Sequence, residues 1–123
     1  MAQDQRQWEQ AEKYYGKALE IQIEFNDRYS QASTYHNLGM VAQDQRQWEQ
    51  AEKYLLKDLE ISKEYNDEYG MGITLRSLSR LWETGERPEL PAAIASVLGI
   101  SAEYAEELLK QSRGIISFQP VPG

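Results

Sequence analysis

The chain contains no cysteine, so a disulfide framework, a thiolate metal site and a thiol nucleophile are all excluded. Proline is missing from residues 1–87, and glycine is sparse there. Basic residues are in the minority: 13 Lys and Arg face 20 Asp and Glu, for a net charge of −7. Such a chain has no bulk attraction for nucleic acid or an anionic membrane. There is no run of about 18 apolar residues, so the sequence predicts no membrane-spanning helix. The opening MAQDQRQWEQ is polar and lacks the apolar stretch of a signal peptide. A cytoplasmic protein is the resulting expectation. Histidine occurs once, at His36, and no HExxH spacing is present, so no metal site is expected. Gly70-Met71-Gly72 lacks both the third glycine and the preceding strand of a phosphate loop. Neither a cofactor nor catalysis is expected.

What the chain does have is repetition. Residues 2–14 read AQDQRQWEQAEKY, and residues 42–54 read the same. Beyond them the match continues at Lys17/Lys57, Leu19/Leu59, Glu20/Glu60, Ile21/Ile61, Asn26/Asn66, Asp27/Asp67 and Tyr29/Tyr69, always 40 residues apart. A period of about 20–50 residues marks an array in which each unit buries its apolar face against its neighbours. Arrays present long surfaces, which suits binding better than catalysis.

The units are helical. Glu, Gln, Lys, Leu and Ala dominate residues 1–87, and all favour helix. Trp8, Ala11, Tyr15, Ala18 and Leu19 form one apolar line; Tyr14, Ala18, Ile21 and Phe25 form a second. Two lines mean contact from two sides. Helices are predicted over 8–25, 29–45, 48–65 and 68–83, with Asn26-Asp27 and Asn66-Asp67 as turn and cap residues. Gly39 lies within a helix at a cost of about 1 kcal/mol against alanine, which implies a close helix approach. After Thr84-Gly85 the pattern changes. Pro88 and Pro91 suit the start of a short helix over 90–98 closed by Gly99, and Ser101 suits the cap of a last helix over 102–113. The division is therefore repeats over 1–85, a divergent helical pair over 86–113 and a loose tail over 114–123.

Tyr35, Leu38, Gly39, Trp48, Ala51, Leu55 and Leu59, with Trp8, Ala11, Tyr15, Ala18 and Leu19 in the first unit, resemble the tetratricopeptide repeat. The resemblance covers residues 2–82 well and 83–113 by analogy. The 40-residue period exceeds the usual length of about 34. It is similar to the long-helix variety of kinesin light chain and many bacterial regulatory proteins. The resemblance implies an all-α, right-handed superhelical solenoid with a divergent C-terminal cap. It also implies protein–protein interaction through a concave groove lined by the first helix of each pair. On that groove it places Ser33, His36, Asn37 and Met40, then Ile73, Arg76, Ser77 and Arg80. Asn37 matches an asparagine that bonds peptide backbone in some relatives. Arg76 and Arg80, one turn apart, could clasp a carboxylate of an acidic partner. The bland alternative is that both pair with Glu64, Glu83 or other acids of the chain.

Two departures stand out. Arg6 and Arg46 occupy a turn where the family often has glycine. Asp58 replaces the late alanine of the second helix, which implies either solvent or a cationic partner for its carboxylate, and a helix less tightly packed on its outer side. A rival function comes from residues 93–109, whose Ala95, Gly99 and Ser101 resemble a helix-turn-helix of a transcriptional regulator. Glu103, Glu106 and Glu107 would oppose DNA phosphates, and only Lys110 and Arg113 would help.

Met1 aligns with Val41, so the first unit retains only residues 2–7 of its first helix. The partner helix is then expected to expose Trp8, Ala11 and Tyr15. Further repeats of a longer array or a second copy of the chain would cover them, and self-association centred on these residues is the expectation.

Overall fold

A computed structural model describes residues 5–84 and 86–116, with side chains described as far as Ser112. It comprises α1 (Gln5–Glu24), α2 (Arg28–Asp44), α3 (Trp48–Glu64), α4 (Glu68–Glu83), α5 (Leu90–Leu98) and α6 (Ala102–Ile116), with no strand among the described residues. Each of the first three helices packs on the next, most extensively α2 on α3. The chain is an α-helical solenoid.

Three turns of identical design make this possible. After α1, α2 and α3, residues Asn26, Arg46 and Asn66 adopt left-handed backbone with φ of 56°, 62° and 52°. In each turn the following amide reaches back to the helix it has just left: Asp27 N–H to Gln22 O at 2.8 Å, Gln47 N–H to Ala42 O at 2.9 Å and Asp67 N–H to Ser62 O at 2.9 Å. These bonds satisfy carbonyls that a helix end otherwise orphans. Asp27 and Asp67 then cap α2 and α4, accepting from Ser30 N–H and Gly70 N–H. The cap residues predicted from sequence therefore act as caps. Arg46 takes on the left-handed role without glycine's freedom.

The core is layered along the array. Ala42, Ala51, Leu55, Leu59, Leu75, Leu78 and Leu81 join Leu90, Ile94, Ala105 and Leu109 in one buried cluster. Gly39 marks a close approach between α2 and α3: a Cβ built there would lie 2.8 Å from Leu55 Cγ. The close contact inferred from a mid-helix glycine is present.

Beyond α4 the pairing changes. Here α5 packs chiefly on α3 and α6, while α6 lies along α4. Ser79 Oγ, completely buried, donates to Leu109 O at 2.9 Å and ties α4 to α6. Pro91 sits in the first turn of α5, Gly99 closes it with φ of 71°, and Tyr104 N–H bonds Ser101 Oγ at the start of α6. Arg87 holds the preceding loop to α3 through a 2.6 Å bond to Glu52. Helix α6 runs to Ile116, past the expected end at residue 113, and the remainder of the expected loose tail lies outside the described residues.

One expectation fails at the other end. Residues 5–7 were expected to belong to a remnant helix and turn ahead of a helix beginning at Trp8; they are instead continuous with α1. The identical Gln45-Arg46-Gln47 forms the turn between α2 and α3. Left-handed backbone costs a residue with a Cβ about 1–2 kcal/mol. Packing of α2 against α3 offsets that cost at Arg46. Among the described residues no helix before α1 supplies such packing, and Arg6 stays helical. Residues 1–4 lie outside the described residues.

Candidate groove site

Between α2 and α4 lies a cavity of about 290 Å³. Tyr29, Ala32, Ser33 and His36 of α2 form one wall; Tyr69, Gly70, Ile73 and Thr74 of α4 form the other; Asp58 and Ser62 of α3 lie beneath. The spacing follows from the helix repeat, because positions three and four apart share a face. A second cavity of about 250 Å³ adjoins it, sharing Tyr69 and Ile73 and adding Glu68, Gly72, Arg76 and Ser112.

Asp58 organises the first cavity. It is only 5% exposed, so its carboxylate must be bonded within the protein. One oxygen, Oδ2, accepts from Thr74 Oγ1 at 2.7 Å and faces His36 Nδ1 at 2.9 Å; Oδ1 accepts from Ser62 Oγ at 3.4 Å. Residues from all three helices thus meet on one carboxylate. Of the two fates expected for this departure, solvent is excluded by burial. No Lys or Arg among the described residues pairs with the carboxylate. It meets the hydroxyls of Thr74 and Ser62 and the ring of His36, a cation only when protonated. Leu55, Leu59 and Ile61 beside it are completely buried. A short carboxylate satisfied by polar neighbours fills the place of a small alanine without opening the stack.

At the mouth, Tyr29 donates to Asp67 Oδ2 at 3.0 Å. Asp67 therefore joins α2 to α4 while capping α4 through Oδ1 at 2.9 Å. The bond to Asp67, then its negative charge, hold the Tyr29 hydroxyl above its ordinary range. Tyr65 meets the Tyr29 ring edge-on at 5.2 Å. Outside the cavity, Arg28 grips Glu64 with two bonds of 3.1 and 2.8 Å.

The sequence-expected groove residues divide. Ser33, His36 and Ile73 line the first cavity, and Arg76 lines the second. Asn37 and Met40 are half-buried on α2 and Arg80 is exposed on α4, and none of the three lines either cavity. Ser77 is buried. Glu64 is occupied by Arg28, and neither Arg76 nor Arg80 has an ion-pair partner among the described residues. Asp58, Thr74, Tyr29, Asp67 and Tyr69 were not expected at the site. The signals for them were the acid at the alanine position and the recurrence of Asp27/Asp67 and Tyr29/Tyr69 at the 40-residue period.

Two other regions bear on function. No residue of α1 is buried. Trp8, Ala11 and Tyr15 are half-buried, whereas Tyr14, Ile21 and Phe25 are 70%, 53% and 73% exposed. At the other end, Lys110 pairs with Glu106 at 3.4 Å, Glu103 and Glu107 are exposed, and the Arg113 side chain lies outside the described residues.

No group of three or more acidic, histidine or cysteine side chains positioned to hold a metal occurs among the described residues. None of the described helices is long and apolar enough to cross a membrane. The architecture defines a helical-repeat protein with a groove between alternate helices. The tetratricopeptide-repeat family model matches residues 1–64 and again 30–89, and the chain belongs to that family. Such repeats generally mediate protein–protein interaction and are typically non-catalytic. No curated protein and no solved structure matched the chain.

Proposed function

We propose that this chain is a non-catalytic interaction module of the long-helix variety, binding a peptide segment of a partner protein along the α2–α4 groove. The length of α2 and α3, 17 residues each, supports the variety. The observation that carries the groove is the pair of adjoining cavities, with Arg76 lining one and without an ion-pair partner among the described residues. Arg76 and Arg80 lie one turn apart and take a carboxylate of the partner, while His36, Asn37 and Met40 flank its backbone. Peptides selected from a random library on the immobilised chain should be enriched in acidic residues. Replacing Arg76 and Arg80 by Glu should weaken them at least tenfold in fluorescence anisotropy with helicity unchanged. Selected peptides that bind the double variant as well as the parent would defeat the proposal.

A second interaction is favoured by α1. It resembles α3 closely in sequence, yet Ile61 of α3 is fully buried and its counterpart Ile21 is half in solvent. The difference is in neighbours: α3 lies against α2, α4 and α5, and α1 principally against α2. A second copy covering this face, with Trp8, Ala11 and Tyr15 at the edge of the contact, completes what α1 lacks. Light scattering should then report more than a monomer, with Tyr15→Glu or Ile21→Glu shifting the chain towards one. A monomer at high concentration would dismiss it.

A further inference from the structure

We infer that the cavity between α2 and α4 receives a basic side chain, arginine or lysine, of the bound peptide. The inference rests on the groove proposed above and assigns one of its subsites.

The argument begins with the hydrogen-bonding balance of the cavity wall. Asp58 and Asp67 both line it, and no Lys or Arg among the described residues pairs with either. An ionised carboxylate has about four acceptor positions. Asp58 uses three, for Thr74, His36 and the long Ser62 contact; Asp67 uses two, for Gly70 N–H and Tyr29. Acceptor positions remain on both. The His36 ring lies 2.9 Å from Asp58 Oδ2 through Nδ1 and completes this wall. The wall lacks strong donors and is well supplied with acceptors, the complement of a guanidinium or an ammonium group.

The rest of the wall suits the stem of such a side chain. Ala32 and Ile73 are apolar and border the acidic part. Tyr29 and Tyr69 stand at the opening, Tyr69 being 81% exposed, so a cation passing between them meets aromatic rings. A long side chain that keeps its charge at the tip and its methylenes on apolar surface matches this order. The volume of about 290 Å³ accommodates one such side chain. The adjoining cavity carries Arg76, so the groove presents opposite charges in neighbouring subsites. Its peptide therefore has a basic residue close to an acidic one. That charge order also fixes direction along the groove.

The test uses the full chain, labelled with ¹⁵N, and three small probes: acetyl-arginine amide, acetyl-citrulline amide and acetyl-glutamate amide. Citrulline keeps the shape of arginine and removes its charge. The arginine probe should shift the amides of Ala32, Gly70 and Ile73 saturably, with the citrulline probe at least fivefold weaker and the glutamate probe without effect there. Asp67→Asn should lower the arginine affinity at least fivefold while preserving the fold, because asparagine is also a good helix cap. Tyr69→Ala, at an exposed position, should weaken both the arginine and citrulline probes and leave their ratio intact. Equal binding of arginine and citrulline probes, preference for glutamate, no shifts at these amides, or indifference to Asp67→Asn would each overturn the inference. Library peptides that depend on Arg76 and Arg80 but carry no basic residue would overturn it too, and would leave the groove itself standing.

Discussion

Gly39→Ala sets two known effects against each other at one atom. In an open helix the change stabilises, by about 1 kcal/mol, because alanine loses less backbone entropy on folding. Here the added Cβ would meet Leu55 Cγ at 2.8 Å and Cδ2 at 2.9 Å, with Ala51 O at 3.5 Å. Cγ is the branch point of the leucine, so rotating the tip does not relieve the contact. Leu55 and Ala51 are both completely buried, and neither has free space to retreat into. Overpacking of this kind costs about 1–3 kcal/mol. Taking the cost near its upper end, for two contacts under 3 Å, and subtracting the helix gain leaves a net loss of about 1–2 kcal/mol. For a chain of this size that lowers the melting temperature by about 4–8 °C. Gly16→Ala supplies the control. It lies in α1 with nothing within 4 Å of the new Cβ, so only the helix gain operates. Its melting temperature should rise by about 4 °C. Gly39→Leu should be worse than Gly39→Ala by several kcal/mol, on the order of the upper overpacking costs. Circular dichroism melts of the three variants against the parent decide the matter. If Gly39→Ala stabilises as much as Gly16→Ala, the α2–α3 contact is not as close as described.

Three further outcomes are expected. Arg46→Gly should raise stability by about 1 kcal/mol in urea titrations, since Arg46 is exposed and holds φ of 62°; a loss would mean that its side chain contributes more than the strain removed. Asp58→Ala, which restores the residue usual at this place, should cost only about 1–2 kcal/mol, because Thr74 Oγ1 also bonds Gly70 O at 2.9 Å and keeps that partner; a loss beyond that range would show that the His36 contact is worth more than a bond to a partly exposed ring. Arg28's hydrogen bonds hold the Glu64 carboxyl below its ordinary value of 4.5. A depressed carboxyl pKa stabilises the fold above the unfolded value, and the effect is lost as pH falls through the folded one. Glu64→Gln should therefore be less stable than the parent at neutral pH, the gap closing as pH drops below about 4.5; a gap independent of pH would remove the ion pair as its cause.

The helices were legible because their signals are local. A cap needs a short acceptor at the right place, and Asp27 and Asp67 provide it wherever the chain goes next. Asn26 and Asn66 tolerate left-handed backbone for the same intrinsic reason. The 40-residue identity, the mid-helix Gly39 and the family resemblance likewise needed only the order of residues. Site residues were less legible. The family resemblance put His36 and Arg76 on the groove, and spacing put Arg76 and Arg80 on one helix face. The convergence of Asp58, Thr74, Tyr29 and Asp67 on the same cavity depends on the offset between three helices, which no single segment encodes.

The sharpest contrast lies within the repeat itself. Gln5-Arg6-Gln7 and Gln45-Arg46-Gln47 are the same tripeptide in the same flanking sequence, one helical and the other a turn. Likewise, the Tyr14 that stands 70% exposed in α1 corresponds to a Tyr54 half-buried in α3. By itself the sequence determined the helical nature of the chain, its period, its caps and its family. Tertiary structure decided where Arg bears a left-handed backbone, which copy of an apolar line is covered and whether the carboxylate of Asp58 meets water or histidine. The reason is physical: helix and cap preferences act within a few residues, whereas strain and burial are settled by which helix lies alongside.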